Sequence, residues 1–143
     1  MDDGTTMVHM PALIAPARLS ELVAGALESG HADLADRFIP DAITRVLGLS
    51  DTGALIGGLQ AEPPTTGNTR YDTLIATAFA WALNRRGVTP VAWMTKPPAL
   101  DVEWLWDGDT DASPEFRDYI RRQTPEEFRA KGLLLRERDL RAA

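Results

Sequence analysis

The chain has 143 residues, 44% of them hydrophobic, with no cysteine and a formal net charge of −6. This is the length of one ordinary domain, with enough apolar content to bury a core without metal or disulfide staples. The missing cysteine excludes disulfide frameworks, thiolate nucleophiles and cysteine metal sites, and the acidic balance opposes a polyanion binder, which needs a basic face to meet phosphates.

The start, MDDGTTMVHMPALIAPARLSEL, opens on two acids instead of a basic segment, and its apolar run from Met7 to Ala15 is broken by His9 and Pro11. No signal peptide is expected, and no stretch approaches the roughly 20 apolar residues of a spanning helix. The expectation is a soluble cytoplasmic protein without a membrane partner, residues 1–16 forming a flexible arm. The basic residues are almost all Arg, with Lys only at Lys96 and Lys131, which together with abundant Ala suggests a high-GC bacterial gene.

Leu19, Leu22, Val23, Ala26 and Leu27 fall at i, i+3, i+4, i+7 and i+8, one helical face, and Gly30 follows as a stop. Leu34, Phe38, Ile39, Ala42, Ile43, Val46 and Leu47 repeat the pattern, with Pro40 expected to bend or split that helix. A short glycine-weakened helix with a minor packing role follows an Asp51 cap. AEPPTTGN, from Ala61 to Asn68, reads as a linker between two helical halves, 17–60 and 68–143, within one domain spanning 17–143.

From Arg70 to Val88, Tyr71, Leu74, Ile75, Ala78, Phe79, Ala82 and Leu83 keep helical register. Arg85 and Arg86 suit the negative helix end and Gly87 stops it, so this is the expected central core helix. Pro90, Pro97 and Pro98 then exclude a long helix, leaving Val102 to Trp106 room for one or two turns. Ser113-Pro114 starts a short helix, and Thr124-Pro125-Glu126-Glu127 reads as a capping box for another. Gly132 stops it, Leu133 to Leu135 form an extended apolar anchor, and the charged tail beyond is expected to fray. The fold class is all-α, with five or six helices around an irregular Pro/Trp-rich segment.

Catalytic constellations are sparse. His9 and His31 lie in the arm and at a helix junction, and the GALIGG stretch has no Lys-Ser/Thr ending for a phosphate loop. No serine lies in a G-x-S-x-G turn. Asp107, Asp109 and Asp111 alternate like a calcium loop, but the closing Glu position falls on Asp118, so a solvated loop is the better reading. Asp101 and Glu103 beside Trp104 and Trp106 could form a carboxylate pair in an apolar pocket. An enzyme reading would need a deep pocket lined by Glu103 and Trp104. No catalytic residue, cofactor or metal site is assigned.

Tryptophan is more informative, because it fills core and anchors protein interfaces with equal facility. Trp93, Trp104 and Trp106, with Asp101, Glu103, Asp107, Asp109 and Asp111, are the candidate partner-binding set. Prolines in the same segment reduce the ordering entropy of binding. The alternative for these tryptophans is a small core packed on the long helix.

The order ALNRRGV, TPVAWMTKPP, EWLW, then TPEEFRAKGLLLRERDL resembles the C-terminal region of high-GC bacterial helix-turn-helix regulator or antitoxin-like proteins. Their pattern is a P-x-W loop, a tryptophan pair and a TPxxFRxxG ending, and the likeness covers about Asn68 to Leu140. It implies the antitoxin of a type II toxin–antitoxin pair, including pairs whose toxin has a nucleotidyltransferase-like fold, acting by direct contact with the cognate toxin. This chain departs from the longer members: Leu19 to Leu49 carries only Arg37 and Arg45 as basic residues, so no clear helix-turn-helix reader precedes the motif. Homodimerisation is compatible with the resemblance, whereas DNA binding without the toxin is not expected. A repressor would have to gather Arg37, Arg45, Arg85, Arg86, Arg121, Arg122, Arg129 and Arg136 on one face.

Overall fold

The computed structural model describes residues 12–106 and 112–142. The first helix, α1 (Pro16–Glu28), buries Leu19, Val23 and Ala26. It ends where Gly30 takes φ 77°, with the His31 N–H donating to the Ala26 carbonyl and the Gly30 N–H to that of Leu27. Only glycine enters that left-handed position without strain, and the two bonds satisfy carbonyls the helix end leaves open. Part of the expected arm is not free. Leu13 and Ile14 pack against the core, and Arg45 donates to the Ala12 carbonyl at 3.0 Å; residues 1–11 lie outside the described residues.

The second helix, α2 (Ala32–Gly48), runs through Pro40 as one element. Its face of Ala35, Ile39, Ala42, Ile43 and Val46 is fully buried against α1 and the rest of the core, and this packing outweighs the one backbone hydrogen bond the proline removes. The short α3 (Thr52–Gly58) is capped as expected, the Ala54 N–H donating to Asp51 at 3.0 Å. Its packing role is larger than the sequence implied, since Leu55 and Leu59 are both fully buried.

Asn68 caps α4 (Thr69–Arg85) by accepting the Arg70 and Tyr71 N–H groups. The preceding Pro/Thr/Gly stretch is fastened to that helix, because Asp72 accepts the backbone N–H of Thr66 and the hydroxyls of Thr65 and Thr66. In α4 every residue from Thr73 to Leu83 is buried, including Leu74, Ile75, Ala78, Phe79 and Leu83. A helix apolar all round can only be a central one. It touches α1 and α2, and also the α5 turn (Ala92–Thr95) and α7 (Glu126–Arg129). One core cluster therefore joins Leu19, Ile43 and Leu55 to Phe79, Phe128 and Leu140.

Trp104–Leu105 is not a helical turn. It forms β1, paired in parallel with β2 (Leu133–Leu134), Trp104 opposite Leu133 and Leu105 opposite Leu134. The Trp104 N–H donates to the Gly132 carbonyl at 2.8 Å and that of Trp106 to Leu134 at 3.1 Å. Between the strands lies α6 (Pro114–Gln123), capped by the Ser113 hydroxyl. Thr124 does not form the expected capping box on α7. Its buried hydroxyl donates to the Ile120 carbonyl at 2.8 Å and accepts the Leu135 N–H at 3.2 Å, joining α6 to the last strand. Nor does the tail fray: Leu140, in a 3-10 turn from Glu137 to Leu140, is fully buried, and the Ala142 N–H donates to Thr44 at 2.8 Å.

Candidate partner-binding site

The two-stranded pairing fixes the backbone of residues 104–106 and so decides which of the candidate side chains face solvent. Strand geometry sends successive side chains to opposite faces. Leu105 packs with Ile120 and Leu134 in a small second cluster, whereas Trp104 and Trp106 turn toward the main core.

Trp106 is 5% exposed, and its indole N–H donates to Asp36 of α2 at 2.9 Å. Trp93 is 6% exposed, donates to the Leu59 carbonyl at 3.0 Å and meets Phe79 edge-on at 5.8 Å. The expectation of three docking tryptophans is corrected accordingly: Trp93 and Trp106 are core residues whose polar edges are spent inside the fold. Trp104 is different. It is only partly buried, with the Tyr71 ring edge-on at 5.1 Å and the Arg70 guanidinium over its face at 5.7 Å.

Next to Trp104 the chain turns outward. Asp101 and Glu103 are exposed, and Val102 between them is 69% exposed, a large value for an aliphatic side chain. Glu103 does not pair with Asp101. It accepts both arms of the Arg121 guanidinium from α6, at 2.6 and 3.1 Å, and Arg121 also meets Asp118. The hydrogen bonds that Arg121 donates to Glu103, then the one to Asp118, hold the Arg121 pKa above its ordinary value. A carboxyl kept protonated for acid catalysis needs apolar burial, and the Glu103 side chain is 37% exposed with a guanidinium forked onto it. Asp107, Asp109 and Asp111 lie outside the described residues.

Behind this rim is a cavity of about 450 Å³, lined by Glu103, Trp104 and Trp106 and by residues the sequence reading passed over. Chief among these is Asp36, whose Oδ1 accepts the Tyr71 hydroxyl at 2.7 Å as well as the Trp106 indole. Burial, then the hydrogen bond and the charge of Asp36, push the Tyr71 phenol well above its ordinary pKa. Arg70 and Arg117 line the same space. A signal for Asp36 was present: it stands at i−3 from Ile39 and i−7 from Ile43, an acid on the apolar side of an amphipathic helix. The two arginines gave none, because each occupies an exposed-type position in its helix.

The basic side chains a repressor would need are largely engaged elsewhere. Arg45 pairs with Asp41, Arg85 with Glu137 and over Trp81, Arg136 with Asp139, and Arg86 donates to the Val46 carbonyl at 2.7 Å. Among the described residues no group of three acids or histidines is placed to hold a metal, and no helix is long and apolar enough to cross a membrane. Compared with known proteins, the chain matches no family model, no curated protein and no solved structure.

Proposed function

We propose that this chain is a non-enzymatic antitoxin or accessory regulator, cytoplasmic, that neutralises a cognate toxin by binding it directly and covering its basic nucleotide or RNA site. The observation that carries the reading is the rim from Asp101 to Trp104. Two exposed acids flank a 69% exposed valine beside a half-buried tryptophan; strand pairing holds the backbone at Trp104, and the Arg121 guanidinium holds the Glu103 side chain. Rigid aromatic area next to charge is what an interface anchor requires, since little ordering entropy is lost on binding. The net charge of −6 supports a basic partner, with complementary charge acting mainly on the association rate.

The engagement of Arg45, Arg85, Arg86, Arg121 and Arg136 within the fold favours this reading over DNA repression. A second reading, a small enzyme, has one observation behind it, the cavity bordered by Glu103 and Trp104; the bidentate Arg121 contact weighs against Glu103 as its acid. Trp104→Ala and Val102→Asp test the docking rim. Each should weaken binding of the toxin encoded by the adjacent reading frame by about tenfold or more, the loss typical of an anchor residue, while leaving the far-UV spectrum unchanged. Full neutralisation by both folded variants would remove the rim as the interface.

A further inference from the structure

The cavity behind the rim carries groups that a protein-docking edge does not use. Its volume of about 450 Å³ falls within the roughly 300–1,000 Å³ of small-molecule sites, so it has room for a ligand larger than one partner side chain. Asp36 is half-buried there, and both its donors, Tyr71 and Trp106, go to Oδ1; Oδ2 accepts no hydrogen bond among the described residues. An ionised carboxylate has about four acceptor positions, so Asp36 retains capacity for a further N–H. Both of its donors are neutral, and no cation lies within salt-bridge distance of it among the described residues.

Arg70 and Arg117 reach the same cavity from α4 and α6, and neither forms a salt bridge among the described residues. Guanidinium forks match phosphate oxygens in a bidentate fashion. Leu27, Tyr71 and Trp104 supply apolar and aromatic surface between these polar groups. The cavity thus combines an acceptor, an apolar and aromatic lining and two guanidinium groups that no carboxylate pairs with among the described residues.

We propose that this cavity binds a mononucleotide-class ligand, its base donating an N–H to Asp36 and lying against Tyr71 and Trp104, its phosphate held by Arg70 and Arg117. A bare anion uses only the arginines and is opposed by Asp36. A nucleoside uses only the acceptor and the walls. A ligand with both ends uses every group present. The site shares Trp104 with the proposed rim, but its test is separate, because nucleotide binding is measured on the purified chain alone and needs no toxin.

Tryptophan emission reports the site directly, as Trp104 and Trp106 line it. Titration with AMP, GMP and CMP, with inorganic phosphate and the corresponding nucleosides as separate arms, should give saturable binding for at least one nucleotide. Phosphate alone and nucleoside alone should each bind at least about tenfold more weakly. Arg70→Gln and Arg117→Gln alter residues outside the core, and each should weaken nucleotide binding about tenfold while leaving nucleoside binding unchanged. Asp36→Asn keeps an acceptor for Tyr71 and Trp106 but replaces the open oxygen by an amide, and should weaken nucleotide and nucleoside alike; should it not fold, the two arginine variants decide. Absence of saturable binding of all three nucleotides at millimolar concentration would overturn the proposal. So would phosphate binding as tightly as the nucleotide, or nucleotide affinity unchanged in the folded arginine variants.

Discussion

Asp36 and Tyr71 make one measurable unit at the scale of single residues. Tyr71→Phe removes a hydrogen bond to a charged acceptor, which should cost about 1.5–3 kcal/mol at neutral pH. The sign of its pH dependence follows from the raised phenol: folded Tyr71 titrates above its ordinary value of about 10. Its contribution is therefore complete below pH 10 and declines as pH rises beyond it, because the unfolded chain then gains by ionising. Urea unfolding of wild type and Tyr71→Phe at pH 8 and pH 11 should show the gap narrowing at the higher value. Thr124 offers a second case. Thr124→Val leaves the Leu135 N–H buried without its acceptor and should lower stability by about 1–3 kcal/mol, with Thr124→Ser restoring most of it. Neither role was legible beforehand. Thr-Pro-Glu-Glu has the form of a cap by local sequence, and only the arrival of β2 from further along the chain supplies the competing partner that wins. Trp93 and Trp106 were ambiguous for a similar reason: tryptophan's size favours core and interface equally, and the acceptors that settle them, Leu59 and Asp36, are distant in sequence.

Among elements, the helices with strong period were read correctly because their burial is set by their own spacing. In α4, Leu74, Ile75, Ala78, Phe79 and Leu83 occupy the predicted core. The linker and the strands were harder. Residues 104–105 become β1 only through pairing with residues 133–134, a long-range partnership without local signature. That pairing depends on the turn before β2, where Gly132 has φ 77° and an added Cβ would sit 3.5 Å from both the Leu100 Cβ and its carbonyl oxygen. Gly132→Ala should thus destabilise by about 1 kcal/mol or more through the left-handed backbone alone, seen as a lower midpoint in urea. Phe128, fully buried against Trp81, fixes α7 to the centre. Phe128→Ala should cost about 3–5 kcal/mol, and an unchanged melting temperature would contradict its place in the core.

At the scale of the whole molecule, one main core among the described residues joins both halves where the sequence suggested two subclusters, because α4 is buried from Thr73 to Leu83 and receives α1 and α2 as well as α5 and α7. Unfolding should accordingly be a single transition. All four tryptophans lie at or beyond residue 81, so their emission reports the second half and far-UV circular dichroism the entire chain; coincident urea curves are expected, and separated midpoints would restore two units. The proposed docking rim belongs to this single body, tied to it by the strand pairing at Trp104 and by the Glu103–Arg121 bridge. The central claim is neutralisation by direct contact, and it is tested most directly by co-expressing this chain with the product of the adjacent reading frame, scoring growth and then co-purification. Growth arrest by the neighbour alone, relieved when this chain is present and accompanied by a stable complex that Trp104→Ala weakens, is the predicted result. A neighbour that is harmless by itself, or one that never co-purifies, would contradict it.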